Sequence, residues 1–158
     1  MSGQMFDERS DRDDQDAGDF SDMLSEMRIL LPGAQMLTAF LIILPFNGGF
    51  ARIVHSEKLL FLATFVLSLT SLVLLSAPAV QHRIMRPLKD RARFKRVATR
   101  LMVSGSLALA IALVLGTNLV ISEVFGGTVG LVTSAVVAVL IFGVWWWMPR
   151  YLKQHAGV

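Results

Sequence analysis

The sequence predicts an all-α membrane protein with four transmembrane helices arranged as two antiparallel hairpins, preceded by a short interfacial amphipathic helix. Three observations carry that expectation. The 158-residue chain is 54% hydrophobic with a mean hydropathy of +0.58, more apolar side chain than a soluble domain of this size can bury. Its apolar residues fall into four runs, each long enough at about 1.5 Å per helical residue to cross a hydrocarbon core of about 30 Å. Its Lys and Arg residues gather between the second and third runs, as positive-inside topology requires.

Residues 1–28 hold nine acidic side chains against Arg9, Arg12 and Arg28, a net charge of −6. Such a stretch lacks the apolar surface to order itself, so residues 1–19 read as a disordered acidic tail. The N-terminus carries acids where a secretory signal carries Lys or Arg, so the first span is expected to be retained. Over residues 20–31, Phe20, Met23, Leu24, Met27 and Leu31 recur at helical spacing while Asp22, Ser25, Glu26 and Arg28 take the other positions. That pattern suits a helix lying on the membrane surface.

Residues 32–148 form the transmembrane domain. Span one, about 32–51, opens on Pro32, which suits a first helical position, and contains Pro45, which removes a hydrogen bond to Leu41 and predicts a kink or early fraying. Asn47, Gly48 and Gly49 follow close to the far interface. Span two, about 59–80, ends at Ala77, Pro78, Gln81 and His82. The loop 81–96 carries Arg83, Arg86, Lys89, Arg91, Arg93, Lys95 and Arg96 against a single Asp90, and Pro87 divides it, so a turn followed by a helix continuing into span three is expected. Span three, about 97–122, begins with Arg100 near enough to the end to snorkel outward. A five-residue turn, Glu123 to Gly127, leads to span four, about 128–148. Trp145, Trp146 and Trp147 close that span beside Arg150 and Lys153, an interface anchor, and residues 149–158 form a tail. The basic loop faces the cytoplasm by this reading, and an even number of spans places both termini with it.

Small residues form two stripes at four-residue spacing, Ser104, Ala108, Ala112 and Gly116 in span three and Gly126, Gly130, Ser134 and Ala138 in span four. They are expected to let the two helices approach closely, within one protomer or at a homo-oligomer or membrane-partner interface. No ionisable group lies at mid-membrane, where coupled transport keeps one. The polar residues there are Gln35, Thr38, Thr64, Ser68, Thr70, Ser71, Thr117 and Asn118, whose hydroxyls bond back to their own helices in the simplest case. Gln35 and Asn118 are candidates for bonds between helices, and Gln35, Asn47, Asn118 and Glu123 are the candidate polar or ion-contact positions. The seven cations of the basic loop are candidate contacts to membrane lipid, anionic lipid above all, for which the acidic tail is a built-in competitor.

The chain contains no cysteine, which excludes disulfides and thiolate chemistry. His55, His82 and His155 lack ligand spacing, and no Gly-rich phosphate loop, nucleophile elbow or HExxH motif occurs. Neither a metal, a cofactor, nucleic-acid binding nor enzymatic activity is expected. A structural or accessory membrane role is the leading expectation, and a small oligomeric transporter or channel the alternative.

Leu30-Leu31-Pro32-Gly33-Ala34-Gln35, then Leu44-Pro45-Phe46, Ala77-Pro78-Ala79 and His82-Arg83 resemble a family of small bacterial four-helix membrane proteins classed as a domain of unknown function. The likeness covers roughly residues 24–150. It implies a bacterial inner membrane, and a sodium:proton antiporter label attaches to some members. It assigns no functional residue.

Overall fold

The computed structural model describes residues 27–46, 54–84 and 91–155, together with Gly18 and Ser25. All of its regular elements are helical: α1 over 27–43, closing in a 3₁₀ turn at Leu44–Phe46; α2 over His55–Ile84; α3 over Arg91–Phe125; α4 over Gly127–Phe142; a π-turn at Gly143–Trp147; and α5 over Met148–His155. Four stretches, Met27–Phe46, His55–Ile84, Arg93–Phe125 and Gly127–Leu152, are long and apolar enough to cross a membrane.

Within the expected interfacial helix 20–31, residues 27–31 continue without a break into α1; residues 20–24 and 26 lie outside the described residues, as do 1–17 and 19. At its far end α1 loses α-helical hydrogen bonding at Pro45, which has no N–H to give, and the chain tightens into the 3₁₀ turn.

The other helices overrun the spans drawn from sequence. α2 begins four residues before Leu59, where the Glu57 carboxylate accepts the Val54 N–H at 3.1 Å and so occupies a donor the helix start leaves open. It continues through Pro78, which is fully buried in the helix interior, to Ile84. Pro78 has no N–H to give the Leu74 carbonyl, a loss that packing against neighbouring helices lets a membrane helix tolerate. α3 starts at Arg91, six residues before the apolar run, in keeping with the helix expected to follow Pro87 and continue into span three. The expected turn 123–127 shrinks to Gly126, whose φ of 91° only glycine adopts cheaply. Past Trp147 the helix runs on to His155 where a tail was expected.

The inward faces share one spacing. α1 buries Met27, Ala34, Thr38 and Leu41, and α2 buries Thr64, Ser68, Ser71, Leu75 and Pro78. Steps of three and four are those of left-handed helix packing. Ala34 meets Leu75 and Thr38 meets Ser68, so α1 runs antiparallel to α2. A Cβ on Gly105 would lie 3.0 Å from Leu75 Cγ, and one on Gly116 3.6 Å from Thr64 Cγ2 and 3.7 Å from Leu37 Cδ1, so α3 is antiparallel to α2 and reaches α1 as well. α4 packs on α3 and, among the described residues, brings no Cα atom within 8 Å of one in α2. α3 is therefore the centre of the bundle: 33% of its apolar window is buried inside the protein, against 11% for α4. Large apolar side chains such as Leu62, Val73, Leu131 and Val139 stay exposed on the outer faces. In water that surface would be prohibitive, whereas hydrocarbon solvates it.

Candidate functional site

The core holds a seam of hydroxyl groups. Four of the buried polar residues are Thr38 on α1 and Thr64, Ser68 and Ser71 on the inward side of α2. Thr38 donates its hydroxyl proton to the Ala34 carbonyl at 2.8 Å, and the Thr38 and Ser68 oxygens are 2.6 Å apart. A hydroxyl has one proton, so Ser68 must donate to Thr38. Thr64 donates to Leu60 O at 2.7 Å. Ser71 Oγ, fully buried one turn beyond Ser68, has no hydrogen-bond partner among the described residues. The seam thus holds α1 against α2 by one directed bond and keeps one hydroxyl unspent.

The candidates for bonds between helices were Gln35 and Asn118; the Thr38–Ser68 pair was not among them. Gln35 is exposed on the outer face of α1, a quarter-turn from the buried Ala34. Asn118 does bond between helices, its Nδ2 donating to Ser134 Oγ at 3.3 Å, while Ser134 donates to Leu131 O at 3.0 Å. Glu123 is exposed beside the α3–α4 turn, and Asn47 lies outside the described residues.

The two small-residue stripes do not face each other. Four residues turn a helix by about 400°, so a strict four-residue stripe drifts about 40° per step and about 120° from Ser104 to Gly116. Ala108 and Ala112 are buried and Gly116 faces α1 and α2, but Ser104 is exposed. In span four, Gly126 is the exposed turn, Ala138 is half-buried, and Gly130 and Ser134 make the contact. They meet Ser122 and Asn118: a Cβ on Gly130 would lie 2.8 Å from Ser122 Cβ and 2.9 Å from its backbone nitrogen. Gly105, which accepts Leu74 and Leu75 at the α2–α3 contact, went unnoticed in the sequence. Its seven-residue spacing to Ala98 and Ala112, both fully buried, was the available signal.

The third feature is a basic end. Antiparallel packing brings the start of α1, the end of α2, the start of α3 and the end of α5 to one side of the bundle. Arg83 on α2 and Arg93, Lys95, Arg96 and Arg100 on α3 are exposed there; Arg91 starts α3, and Arg86 and Lys89 lie outside the described residues. Phe94 is buried, its ring 6.1 Å from that of His82, so the basic overhang of α3 is packed on α2 rather than free-standing. The first turn of α3 has no acidic residue. Cations at the positive pole of a helix are unfavourable by about 0.3–1 kcal/mol each unless an anion sits beside them. His55 and His82 stand at opposite ends of α2, far from a shared ligand position.

Comparison with curated proteins and with solved structures gives no match. A family match does exist and spans residues 6–149. It begins well before residue 24, where the sequence resemblance was expected to start, and so takes in most of the acidic stretch. A four-helix chain matched over nearly its whole length in this way belongs to the family described as "Family of unknown function (DUF6328)".

Proposed function

We propose that the protein is a non-catalytic, multi-pass component of a bacterial inner membrane, with its basic end and both termini in the cytoplasm, that acts by gathering anionic lipid around that end. The observation that carries this reading is the cluster of exposed cations Arg83, Arg93, Lys95, Arg96 and Arg100 at one end of the bundle. α3 has 35 residues and is about 52 Å long, well over the hydrocarbon thickness, so its basic turns reach the headgroup layer. Each cation there contributes roughly 1 kcal/mol of attraction to an anionic leaflet. The Trp145–Trp147 segment, which the antiparallel register places just on the hydrocarbon side of Arg100, supports the same placement.

The test uses the full chain reconstituted in mixed bilayers with spin-labelled phosphatidylglycerol or phosphatidylcholine. The motionally restricted fraction should be larger for phosphatidylglycerol, and the difference should shrink as salt rises to about 1 M, where screening is short-ranged. Equal restriction of both lipids at low salt would refute the reading.

A further inference from the structure

The bundle is open on one side of its basic end. α4 lies along α3, but among the described residues neither the π-turn Gly143–Trp147 nor α5 brings a Cα atom within 8 Å of one in α3. The chain chemistry accounts for the departure. Pro149 has no N–H, and its ring would press on the Trp145 carbonyl one turn earlier. The wider turn relieves this, with Met148 N–H reaching back five residues to Gly143 O, and such turns redirect a helix.

What α4 leaves uncovered follows from helix geometry. Asn118 and Ser122 face α4. Arg100 and Ser104 precede them by about five full turns and so share their bearing. Both are exposed, as are Arg96 one turn before and Leu107 and Ile111 beyond, at 45% and 41%. Along about 22 Å of α3 the uncovered face thus passes from guanidinium to hydroxyl to hydrocarbon. The opposite wall carries the tryptophans and Arg150, which the antiparallel register places about level with Leu107 and Met102. Arg150 is exposed, with Nη1 3.4 Å from the Trp146 carbonyl.

We propose that this opening is a site for a single anionic phospholipid, its phosphate held by Arg96 and Arg100 and an acyl chain lying along Leu107 and Ile111. The site rests on the lipid-facing reading of the basic end and sharpens it from a diffuse attraction to one bound molecule. The order of groups along α3 matches a phospholipid from headgroup to chain. A second copy of the protein fits poorly, because a symmetric contact would set the same guanidinium groups against each other. The acidic segment 1–19 supplies carboxylates but little to cover the apolar strip.

The test is native mass spectrometry of the full chain in a neutral detergent with equimolar phosphatidylglycerol and phosphatidylcholine at about 0.5 M salt, where diffuse attraction is screened. One phosphatidylglycerol should remain bound. Arg100→Gln should weaken it about tenfold, the scale of one charge-assisted bond. Leu107→Trp, which fills the strip, should do the same with an unchanged melting temperature. Arg28→Gln removes an equal charge from exposed α1 at the same end and should change little. Equal losses in Arg28→Gln and Arg100→Gln would overturn the site and leave the diffuse reading standing, whereas no preference for phosphatidylglycerol in any variant would overturn both. A benzophenone at position 107 should crosslink lipid; crosslinks to a second chain or to residues 1–26 instead would also overturn the site.

Discussion

Gly130→Ala should destabilise the protein although alanine is the better helix former. The added Cβ would sit 2.8 Å from Ser122 Cβ, 2.9 Å from its nitrogen and 3.0 Å from its Cα, inside the separation that real carbon contacts keep. Two of those three atoms are backbone, so no side-chain rotation relieves the clash, and with Gly126 alone joining the helices α4 cannot shift independently of α3. Overpacking of this kind costs about 1–3 kcal/mol. Against it stands a gain of about 0.4–1 kcal/mol from the lost freedom of glycine in the unfolded chain. Gly116→Ala separates the two terms, since its Cβ meets only ordinary contacts at 3.6 and 3.7 Å and keeps the gain. Gly33→Ala, with nothing within 4 Å, reports the gain alone. Thermal unfolding in a mild detergent should therefore rank Gly33→Ala and Gly116→Ala at or above the parent and Gly130→Ala several degrees below it, at roughly 2–4 °C per kcal/mol for a chain of this size. A Gly130→Ala protein as stable as Gly116→Ala would show that the α3–α4 contact is not built on this close approach.

The hydroxyl seam gives an ordered pair of effects. Ser68→Ala removes the donor to Thr38 and should cost about 0.6–1.7 kcal/mol, the range for hydrogen bonds between membrane helices. Ser71→Ala removes a buried hydroxyl that has no partner and should be neutral or stabilising in the same melting assay; a larger loss than for Ser68→Ala would contradict the assigned bonding. The acidic segment precedes α1 in sequence, and the start of α1, with Met27 buried, lies at the basic end. Neutralising Asp7, Glu8, Asp11, Asp13, Asp14, Asp16 and Asp19 as amides should therefore raise phosphatidylglycerol association at low salt and change it little at about 1 M salt. Identical binding at low salt would remove any competing role for that segment.

Length and polarity made the four apolar helices legible, because twenty uncharged residues in a row have few other fates. Helix ends were less legible. The start of α3 is the exception: Pro87 predicts a turn and then a helix running into span three, and α3 does begin at Arg91, where Phe94 supplies the buried side chain that ties Arg91–Arg96 to α2. The hydroxyl seam was hidden for another reason. Thr64, Thr70, Thr117 and Thr133 all donate to the carbonyl four residues back, whether buried or exposed, so composition does not reveal which hydroxyls face a neighbour. The seven-residue step from Thr64 to Ser71 and on to Pro78 was the trace left in the sequence. The stripes misled through the same geometry: regular four-residue spacing looks like one face in a string of letters and wraps a third of the way round a real helix.

Orientation is tested most directly by accessibility, and the absence of native cysteine makes single-site labelling clean. Phe125→Cys sits exposed at the α3–α4 turn, and Arg96→Cys sits exposed at the basic end. With a membrane-impermeant maleimide, spheroplasts should label position 125 at once and position 96 only after permeabilisation. Labelling of both positions without permeabilisation, or of position 96 alone, would contradict a four-span bundle that turns its basic end to the cytoplasm.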